Sequence, residues 1–312
     1  MALFDTVKDM ASKLAELPLR RPDADLVRNV HPYRRMLWYL MPGRNESIVY
    51  YDDYVKADAI LDYMHRAREA WGTDVDITHA LVAAAGIGLY HQPKMNQFVV
   101  GKRLYKRNHN AITFSMKRKK KDKEAKLSAV KMRFDDPNEA FQQTCRRINA
   151  EINRERSGEK TYSDKELALM YRLPRPLLEA AMLAMRWADN NNLLPAAFIE
   201  NDPFYASMVI ANLGSLGMRA AFHHLYEYGT CSLFLMVGKI EDRPVCKDGK
   251  VVPEKTLHLR WAYDERIDDG LTSAYGMAEV RNRLENPEEF FGKVEAAPAA
   301  NEEPEVAASS VA

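Results

Sequence analysis

The stretch "AYDERIDDGLTSA", residues 262–274, joins two elements that the sequence predicts with different periods. The residues before it, "TLHLRWAYDER", are typical of a buried strand. The residues after it, "GLTSAYGMAEVRNRLENPEEFF" at 270–291, predict a long closing helix. The turn between them holds four carboxylates and one arginine, at Asp264, Glu265, Arg266, Asp268 and Asp269. This charged turn is the first candidate for a functional site.

Strands and helices alternate along the chain on the N-terminal side of this turn. The predicted strands include 47–55 and the two arms "NAITFSMKR" and "KLSAVKMRF" of a long hairpin. A predicted helix at 56–72 ends at Gly72, and a nearly all-apolar helix at 76–93 can be capped by Thr78. The helix at 136–158 begins near a proline. Buried strands are predicted in "FYASMVIANLG" and "GTCSLFLMVGKI". This order predicts a single α/β domain.

We place the folded domain at residues 30–292. Residues 1–29 are expected to form an amphipathic helix and a connector, with apolar residues at helical spacing between positions 3 and 17. Packing on the protein is favoured over a membrane anchor, because acidic residues in that helix would repel anionic lipid. Residues 293–312 are rich in Ala, Pro and Glu and predict a disordered tail.

The composition excludes several classes of protein. The 312 residues are 46% hydrophobic and 29% charged, with a net charge of +1, which argues against general nucleic-acid binding. The three cysteines show neither a disulfide framework nor a metal-binding pair, which favours a reducing compartment. No apolar run approaches the roughly 20 residues of a membrane helix. We therefore expect a cytoplasmic protein without a membrane span.

Four motifs, in this order, resemble those of one family. They are "DITHALVAAAGIGLYHQPKMNQF", "VIANLGSLG" (209–217), "GTCSLFLMVGKI" (229–240) and "YDERIDDG" (263–270). The second motif resembles the "ISNLG" strand and turn of that family, and the fourth motif resembles its "DHRxxDG" signature. The chain thus resembles, over about residues 30–292, the catalytic domain of the 2-oxo acid dehydrogenase complex acyltransferases. This is the dihydrolipoamide acetyltransferase group, which is related to chloramphenicol acetyltransferase.

The resemblance implies a fold, an assembly and a cofactor. The fold would be a two-layer chloramphenicol-acetyltransferase-like α/β sandwich with a mixed sheet, here with an extra helical insertion near 161–200. The assembly would be a homotrimer, in some relatives built into a larger cage. Coenzyme A or acyl-CoA would enter a channel between subunits and meet the acyl acceptor there. We expect no lipoyl-bearing domain in this chain.

The chain departs from the family at the two positions that carry the chemistry. The base of the family is the histidine of its signature, and Glu265 stands there. The hydroxyl that stabilises the oxyanion is a Ser or Thr, and Ala211 stands there. Arg266 and Asp269 are expected to hold the turn, with Asp269 also a candidate catalytic residue, and Gly270 is expected to avoid obstructing the next helix.

The two departures leave three classes of function open. Moving a proton from an ordinary thiol to an ordinary glutamate is uphill by about 4 pKa units, or roughly 6 kcal/mol. Losing an oxyanion donor costs a further factor of roughly 10²–10³ in rate. The protein could be an acyltransferase with altered chemistry, or an inactive relative that binds acyl-CoA or another ligand in the channel. It could also be a scaffold that assembles with partners through the trimer or cage and the charged hairpin.

Two further groups of residues are candidates for the site. His223 and His224 could supply a substitute base, or could form hydrogen bonds across subunits; no metal site is expected, because a third ligand is missing. Asn212 and Gly214 are candidate coenzyme A contacts within the "NLG" turn. Lys119 and Lys120, in the basic hairpin tip at 117–126, could bind the coenzyme A phosphates or an acidic partner, although a solvated loop is the simpler interpretation.

Overall fold

The computed structural model describes residues 20–118, 127–158, 170 and 172–294. Its strands are β1 Ala24–Leu26, β2 Ile48–Lys56, β3 Gln97–Val100, β4 Arg103–Arg107, β5 Asn110–Lys117, β6 Leu127–Phe134, β7 Met208–Asn212, β8 Leu233–Lys247 and β9 Lys250–Asp264. Its α-helices are α1 Pro32–Leu40, α2 Asp58–Trp71, α3 Ile77–His91, α4 Phe141–Arg156, α5 Arg175–Asn190, α6 Ala196–Asn201, α7 Gly270–Glu285 and α8 Pro287–Phe291.

The main sheet is mixed and has the strand order β2-β9-β8-β7-β5-β6. The pairs β5–β7 and β7–β8 are parallel, and the pairs β2–β9, β8–β9 and β5–β6 are antiparallel. A smaller sheet has the order β1-β4-β3. The expected mixed sheet is therefore confirmed.

Helices cover one face of the main sheet and form the principal core with it. The apolar helix α3 is buried from His79 to Leu89 and packs against α7, α4 and β5. Alternate residues of the strands point into this core, among them Phe114, Leu235 and Trp261, each at most 2% exposed. The opposite face carries a smaller apolar cluster that includes Val209, Phe234 and Met236.

Two helix starts differ from the sequence prediction. Helix α3 is capped by Asp76 and not by Thr78, because the Asp76 carboxylate accepts hydrogen bonds from the backbone N–H groups of Thr78 and His79, at 2.8 and 3.3 Å. Helix α4 begins at Phe141 and not near the proline, since residues 135–140 form a turn before it.

The segments at both ends of the predicted domain also differ from the expectation. Strand β1, within the predicted connector, pairs with β4, so its residues belong to the smaller sheet. The predicted helix at 3–17 and nearly all of the predicted tail lie outside the described residues. Helices α5 and α6 occupy the described part of the expected insertion. None of the described helices is long and apolar enough to cross a bilayer.

Candidate active site

The turn after β9 is built around a buried ion pair between Asp264 and Arg266. Their side chains are 0% and 4% exposed. Arg266 donates from Nε to Oδ1 at 2.9 Å and from Nη2 to Oδ2 at 2.8 Å, and Oδ1 also accepts from the Ser47 hydroxyl at 2.8 Å. Arg266 Nη1 donates to the carbonyls of Met41 and Pro42. This pair ties the turn to the segment before β2.

Asp268 and Asp269 have separate structural contacts. Asp268 forms ion pairs with Arg34 at 3.2 Å and Lys94 at 3.0 Å, and accepts from the Thr272 hydroxyl at 2.8 Å. Burial acts to raise the pKa of Asp268, but Lys94 and Thr272 outweigh it and lower that pKa. Asp269 is the N-cap of α7 and accepts from the backbone N–H of Thr272 at 3.1 Å. Arg266 thus holds the turn through its ion pair with Asp264, and Asp269 holds it by capping the start of α7.

Glu265 lies between these anchored residues and is itself half-buried. Its backbone N–H donates to the Ser47 carbonyl at 3.0 Å, and its own carbonyl accepts from Arg34 at 3.3 Å. Among the described residues, no hydrogen bond or ion pair engages its carboxylate. Glu265 therefore has a fixed backbone and a carboxylate available to a ligand.

Ala211 lies on β7, away from Glu265 within one chain. It pairs with Met236 of β8, and Met236 in turn pairs with Arg260 of β9. Two strand spacings and five residues separate Ala211 from Glu265, which is about 10 Å across the sheet and about 16 Å along it. A single chain therefore does not bring these two predicted site residues together.

Asn212 and Gly214, the predicted coenzyme A contacts in the "NLG" turn, both contact other parts of the chain. The Asn212 amide donates to the Thr78 hydroxyl at 3.1 Å and accepts from the backbone N–H of Ser215 at 3.1 Å. A Cβ added at Gly214 would lie 2.4 Å from the Gly238 carbonyl oxygen. Lys119 and Lys120 lie outside the described residues.

The histidine pair lies on the sheet face away from the helices. The His223 ring stacks on Phe234 with centroids 4.0 Å apart and on His224 at 4.9 Å. The His223 Nδ1 lies 2.7 Å from the His224 carbonyl oxygen, and the His224 Nδ1 lies 3.0 Å from the Leu225 carbonyl oxygen. Burial lowers the pKa of His223. The described residues contain no group of three or more His, Cys, Asp or Glu side chains suited to a metal ion.

One buried arginine near the turn was not found by sequence reasoning. Arg44 is 4% exposed, and its Nη1 donates to the carbonyls of Tyr226 and Glu227 at 2.9 and 3.1 Å. It lines a cavity of about 370 Å³ together with Trp38 and Arg266. No local pattern marks Arg44, because its partners lie more than 180 positions away.

Comparisons with known proteins confirm the resemblance to the acyltransferase family. Residues 200–292 match the family model of the 2-oxoacid dehydrogenases acyltransferase (catalytic domain). The dihydrolipoyllysine-residue acetyltransferase component of pyruvate dehydrogenase complex from Staphylococcus aureus is 32% identical over 83 residues, which are 27% of this chain and 19% of that protein. The counterpart from Staphylococcus epidermidis matches equally. The match thus spans about a fifth of the length of these curated relatives.

Solved structures confirm the fold over most of the chain. A probable dihydrolipoamide acetyltransferase from Listeria monocytogenes aligns with a TM-score of 0.53 and 14% identity, covering 84% of this chain and 94% of that one. The cubic core of the pyruvate dehydrogenase multienzyme complex aligns with a TM-score of 0.55 and 16% identity, covering 85% and 94%. The predicted two-layer α/β fold of the acyltransferase cores is therefore confirmed.

Proposed function

We propose that this protein is an acyltransferase of the 2-oxo acid dehydrogenase kind whose chemistry is altered at the base position. The acyl group would come from a thioester of coenzyme A and pass to a thiol or hydroxyl acceptor, with Glu265 as the general base. One observation carries this proposal: the other three acids of the turn are engaged by Arg266, by Lys94 and by the start of α7, whereas the Glu265 carboxylate has no described partner.

The reaction requires two proton transfers, one from the acceptor to Glu265 and one from Glu265 to the leaving coenzyme A thiolate. Glu265 takes the proton of the acceptor thiol or hydroxyl as its sulfur or oxygen attacks the thioester carbonyl. The tetrahedral intermediate then expels the coenzyme A thiolate, which regains the proton from Glu265. The transfer to a glutamate is less favourable than to a histidine by about 2 pKa units, or roughly 3 kcal/mol, for groups with ordinary values. We therefore propose a slow enzyme.

The Azotobacter vinelandii dihydrolipoamide acetyltransferase supports the assignment of positions. A serine, a histidine and an asparagine four positions after the histidine were investigated for their role in its catalytic mechanism. Glu265 and Asp269 have the same spacing of four in this chain. We propose that Asp269 lies beside the reacting groups while it caps α7, and that Ala211 stands at the serine position.

Assembly belongs to the same proposal. One solved relative is a cubic core of a multienzyme complex, which supports a homotrimer and a larger cage of trimers for this chain. Ala211 and Glu265 are far apart within one chain, so a site that uses both positions needs two subunits. Asn212, Gly214, Lys119 and Lys120 remain proposed contacts for coenzyme A.

A second function is favoured by Ala211. Its methyl group cannot donate to an oxyanion, and loss of such a donor costs roughly 3–4 kcal/mol. The second candidate is therefore a non-catalytic acyl-CoA-binding or scaffolding protein on the same fold.

Release of free coenzyme A thiol from a panel of acyl-CoAs distinguishes the two candidates. The acceptor mixture includes dihydrolipoamide, and the variants are Glu265→Gln, the double change Glu265→His with Ala211→Ser, and the exposed control Glu289→Gln. A general base contributes roughly 10²–10⁴ in rate, so Glu265→Gln should lose at least about 100-fold while Glu289→Gln keeps wild-type turnover.

One outcome would overturn the enzymatic proposal, and another would overturn the assignment of Glu265 as the base. Turnover that appears only in the double change would show that the chemistry was lost, and would support the non-catalytic candidate. Turnover that survives in Glu265→Gln and disappears in His223→Gln or His224→Gln would transfer the role of base to the histidine pair.

A further inference from the structure

Two adjoining cavities lie between α5 and the rest of the protein. The first, of about 370 Å³, is bounded by α1, by the turn between β3 and β4 and by the end of α5. The second, of about 260 Å³, continues along α5. Both are lined by Arg186, Asp189, Glu227 and Gly229, so the two cavities share a wall and we treat them as two ends of one pocket. The volume of the first cavity, even without the second, lies within the usual range of small-molecule sites.

The first cavity is cationic. The positively charged side chains that line it are Arg44, Lys102, Arg103, Arg186 and Arg266, and the negatively charged ones are Asp189 and Glu227. Several of these charges are already balanced. Arg266 is paired with Asp264, and Asp189 accepts from Arg21 at 2.8 Å.

Arg44 is a buried cation of this cavity that forms no ion pair among the described residues. The residue is 4% exposed, and its guanidinium donates from Nη1 to two backbone carbonyls, while its buried Nε has no hydrogen-bond partner among the described residues. Burial lowers the pKa of Arg44, with Asp264 acting against it. A buried guanidinium with an unpaired donor is costly, and an anion within reach would stabilise it.

Glu227 is the carboxylate on which the charges of Arg44 and Arg186 act. Its Oε1 accepts from the backbone N–H of Asn45 at 2.9 Å and from the Asn45 amide at 3.1 Å. Burial acts to raise the pKa of Glu227, but these hydrogen bonds and the charges of Arg44 and Arg186 lower it. Glu227 therefore stays ionised and offsets one of the cations. The cavity is still lined by more positive than negative side chains, which suits an anionic ligand.

The second cavity is apolar. Its walls include Met182, Leu183 and Met185 on one side of α5, facing the rings of Tyr205 and Tyr228. Methionine and aromatic side chains bind hydrocarbon through dispersion and exclusion of water. The pocket therefore offers a cationic end and an apolar end joined at Gly229.

We propose that this pocket binds a small carboxylate with an apolar tail, with the carboxylate at Arg44 and Arg186 and the tail along Met182 and Met185. Helix α5 forms one wall of the site, and Glu265 lines neither cavity, although its neighbour Arg266 lines the first. The site goes beyond the proposed acyl transfer and does not depend on it, because it requires binding and no chemistry.

Calorimetric titration of the full chain with octanoate tests this proposal. Three other ligands serve as controls. Octanol has the apolar tail without the charge, and acetate has the charge without the tail. Octyl phosphate has the same tail with a different anionic group. We expect octanoate to bind one per chain and at least about tenfold more tightly than the other three ligands, since charge-assisted hydrogen bonds and tail burial both contribute.

Three substitutions locate the site. Arg186→Gln, at an exposed position, should weaken octanoate by about tenfold or more, and Leu183→Ser should weaken octanoate without changing acetate. Arg175→Gln is the matched control, because Arg175 is exposed on the same helix and lines neither cavity. Arg44→Gln should have the largest effect; if it does not fold by circular dichroism, Arg186→Gln decides.

The proposal fails if octanol binds as tightly as octanoate, because the charge would then have no role. Equal binding by Arg186→Gln and the wild type would also overturn it, as would the absence of octanoate binding. Tighter binding of octyl phosphate would overturn the assignment of a carboxylate. None of these results involves acyl-CoA turnover, so each is separate from the test of Glu265.

Discussion

Asp264 and Arg266 fix the backbone of the residue between them. Both are buried, and they are joined by two hydrogen bonds of 2.8 and 2.9 Å. Such a buried pair adds little net stability, but removal of one partner leaves an unpaired charge and costs about 3–5 kcal/mol. Glu265 therefore has little freedom in its backbone, and its function depends on where its side chain can reach.

His109, in the turn between β4 and β5, makes the stability of the protein sensitive to pH. Its burial, together with the charges of Arg133, Arg107 and Lys131, lowers its pKa from an ordinary 6.5 to about 4, against a weaker opposite effect of Asp135. The unfolded chain therefore binds a proton more readily than the folded one. The contribution of neutral His109 is fully present above about pH 6.5 and is lost as the pH falls toward about 4.

We expect His109→Gln to reduce this loss of stability. Urea denaturation at about pH 7.5 and about pH 5 should show a smaller decrease for His109→Gln than for the wild type. His65→Gln is the control, because His65 is exposed and forms an ion pair only with Glu69 among the described residues. An equal decrease in His109→Gln and the wild type would contradict the prediction.

Sequence spacing identified the residues of the turn but not their contacts. The position of Glu265 in the motif, and the expectation that Arg266 and Asp269 hold the turn, follow from residues that are adjacent in sequence. Arg44 could not be found, since its burial depends on carbonyls about 180 positions away. Long-range packing of this kind leaves no periodic signal.

At the scale of elements, packing requires glycine in the "NLG" turn but not at the start of α7. Gly214 lies against β8, where an added Cβ would be 2.4 Å from the Gly238 carbonyl oxygen. Gly270 was expected to leave room for the following helix, but no atom lies within 4 Å of a Cβ added there. That expectation is therefore wrong, because α7 leaves the turn in open space.

We expect Gly214→Ala and Gly270→Ala to have opposite effects on stability. Gly214→Ala forces β7 and β8 apart and should cost about 1–3 kcal/mol, as overpacking of a core does. Gly270→Ala places a better helix former in the first turn of α7 and should be neutral or stabilising by up to about 1 kcal/mol. The free energies of unfolding in urea measure both. A loss in Gly270→Ala as large as that in Gly214→Ala would refute this interpretation.

Elements with a strong local period were predictable, whereas their exact ends were not. Much of the β5–β6 hairpin alternates between apolar and polar residues, and α3 is nearly all apolar, so both are visible in the sequence. The cap of α3 was misassigned because both Asp76 and Thr78 are good capping residues and only the backbone geometry distinguishes them.

For the whole molecule, the sheet face opposite the helices is the candidate surface for assembly. Phe222 is 61% exposed there, with the Arg260 guanidinium 3.7 Å from its ring centroid and Tyr50 at 5.3 Å edge to face. Tyr50 itself is 45% exposed. Exposed aromatic residues grouped in this way are typical of interfaces.

We expect sedimentation velocity to show a species of three chain masses and Phe222→Asp to reduce it to single chains. A buried carboxylate without a partner would oppose the contact. Val251→Asp is the control, because Val251 is 75% exposed near the tip of the β8–β9 hairpin, away from this face. A monomeric wild type, or a trimer that persists in Phe222→Asp, would show that this surface does not assemble the protein.

The pairing of β2 with β9 also sets the order in which the chain can fold. Ile48 pairs with Asp264, whereas the paired residues Lys247 and Lys250 of the β8–β9 hairpin are almost adjacent. Loops between distant partners close slowly and hairpins quickly, so β8 and β9 can form before β2 joins them. During synthesis β2 leaves the ribosome long before β9 and must remain unpaired while the intervening residues are translated. Its tyrosine-rich edge is then a segment on which a chaperone could act.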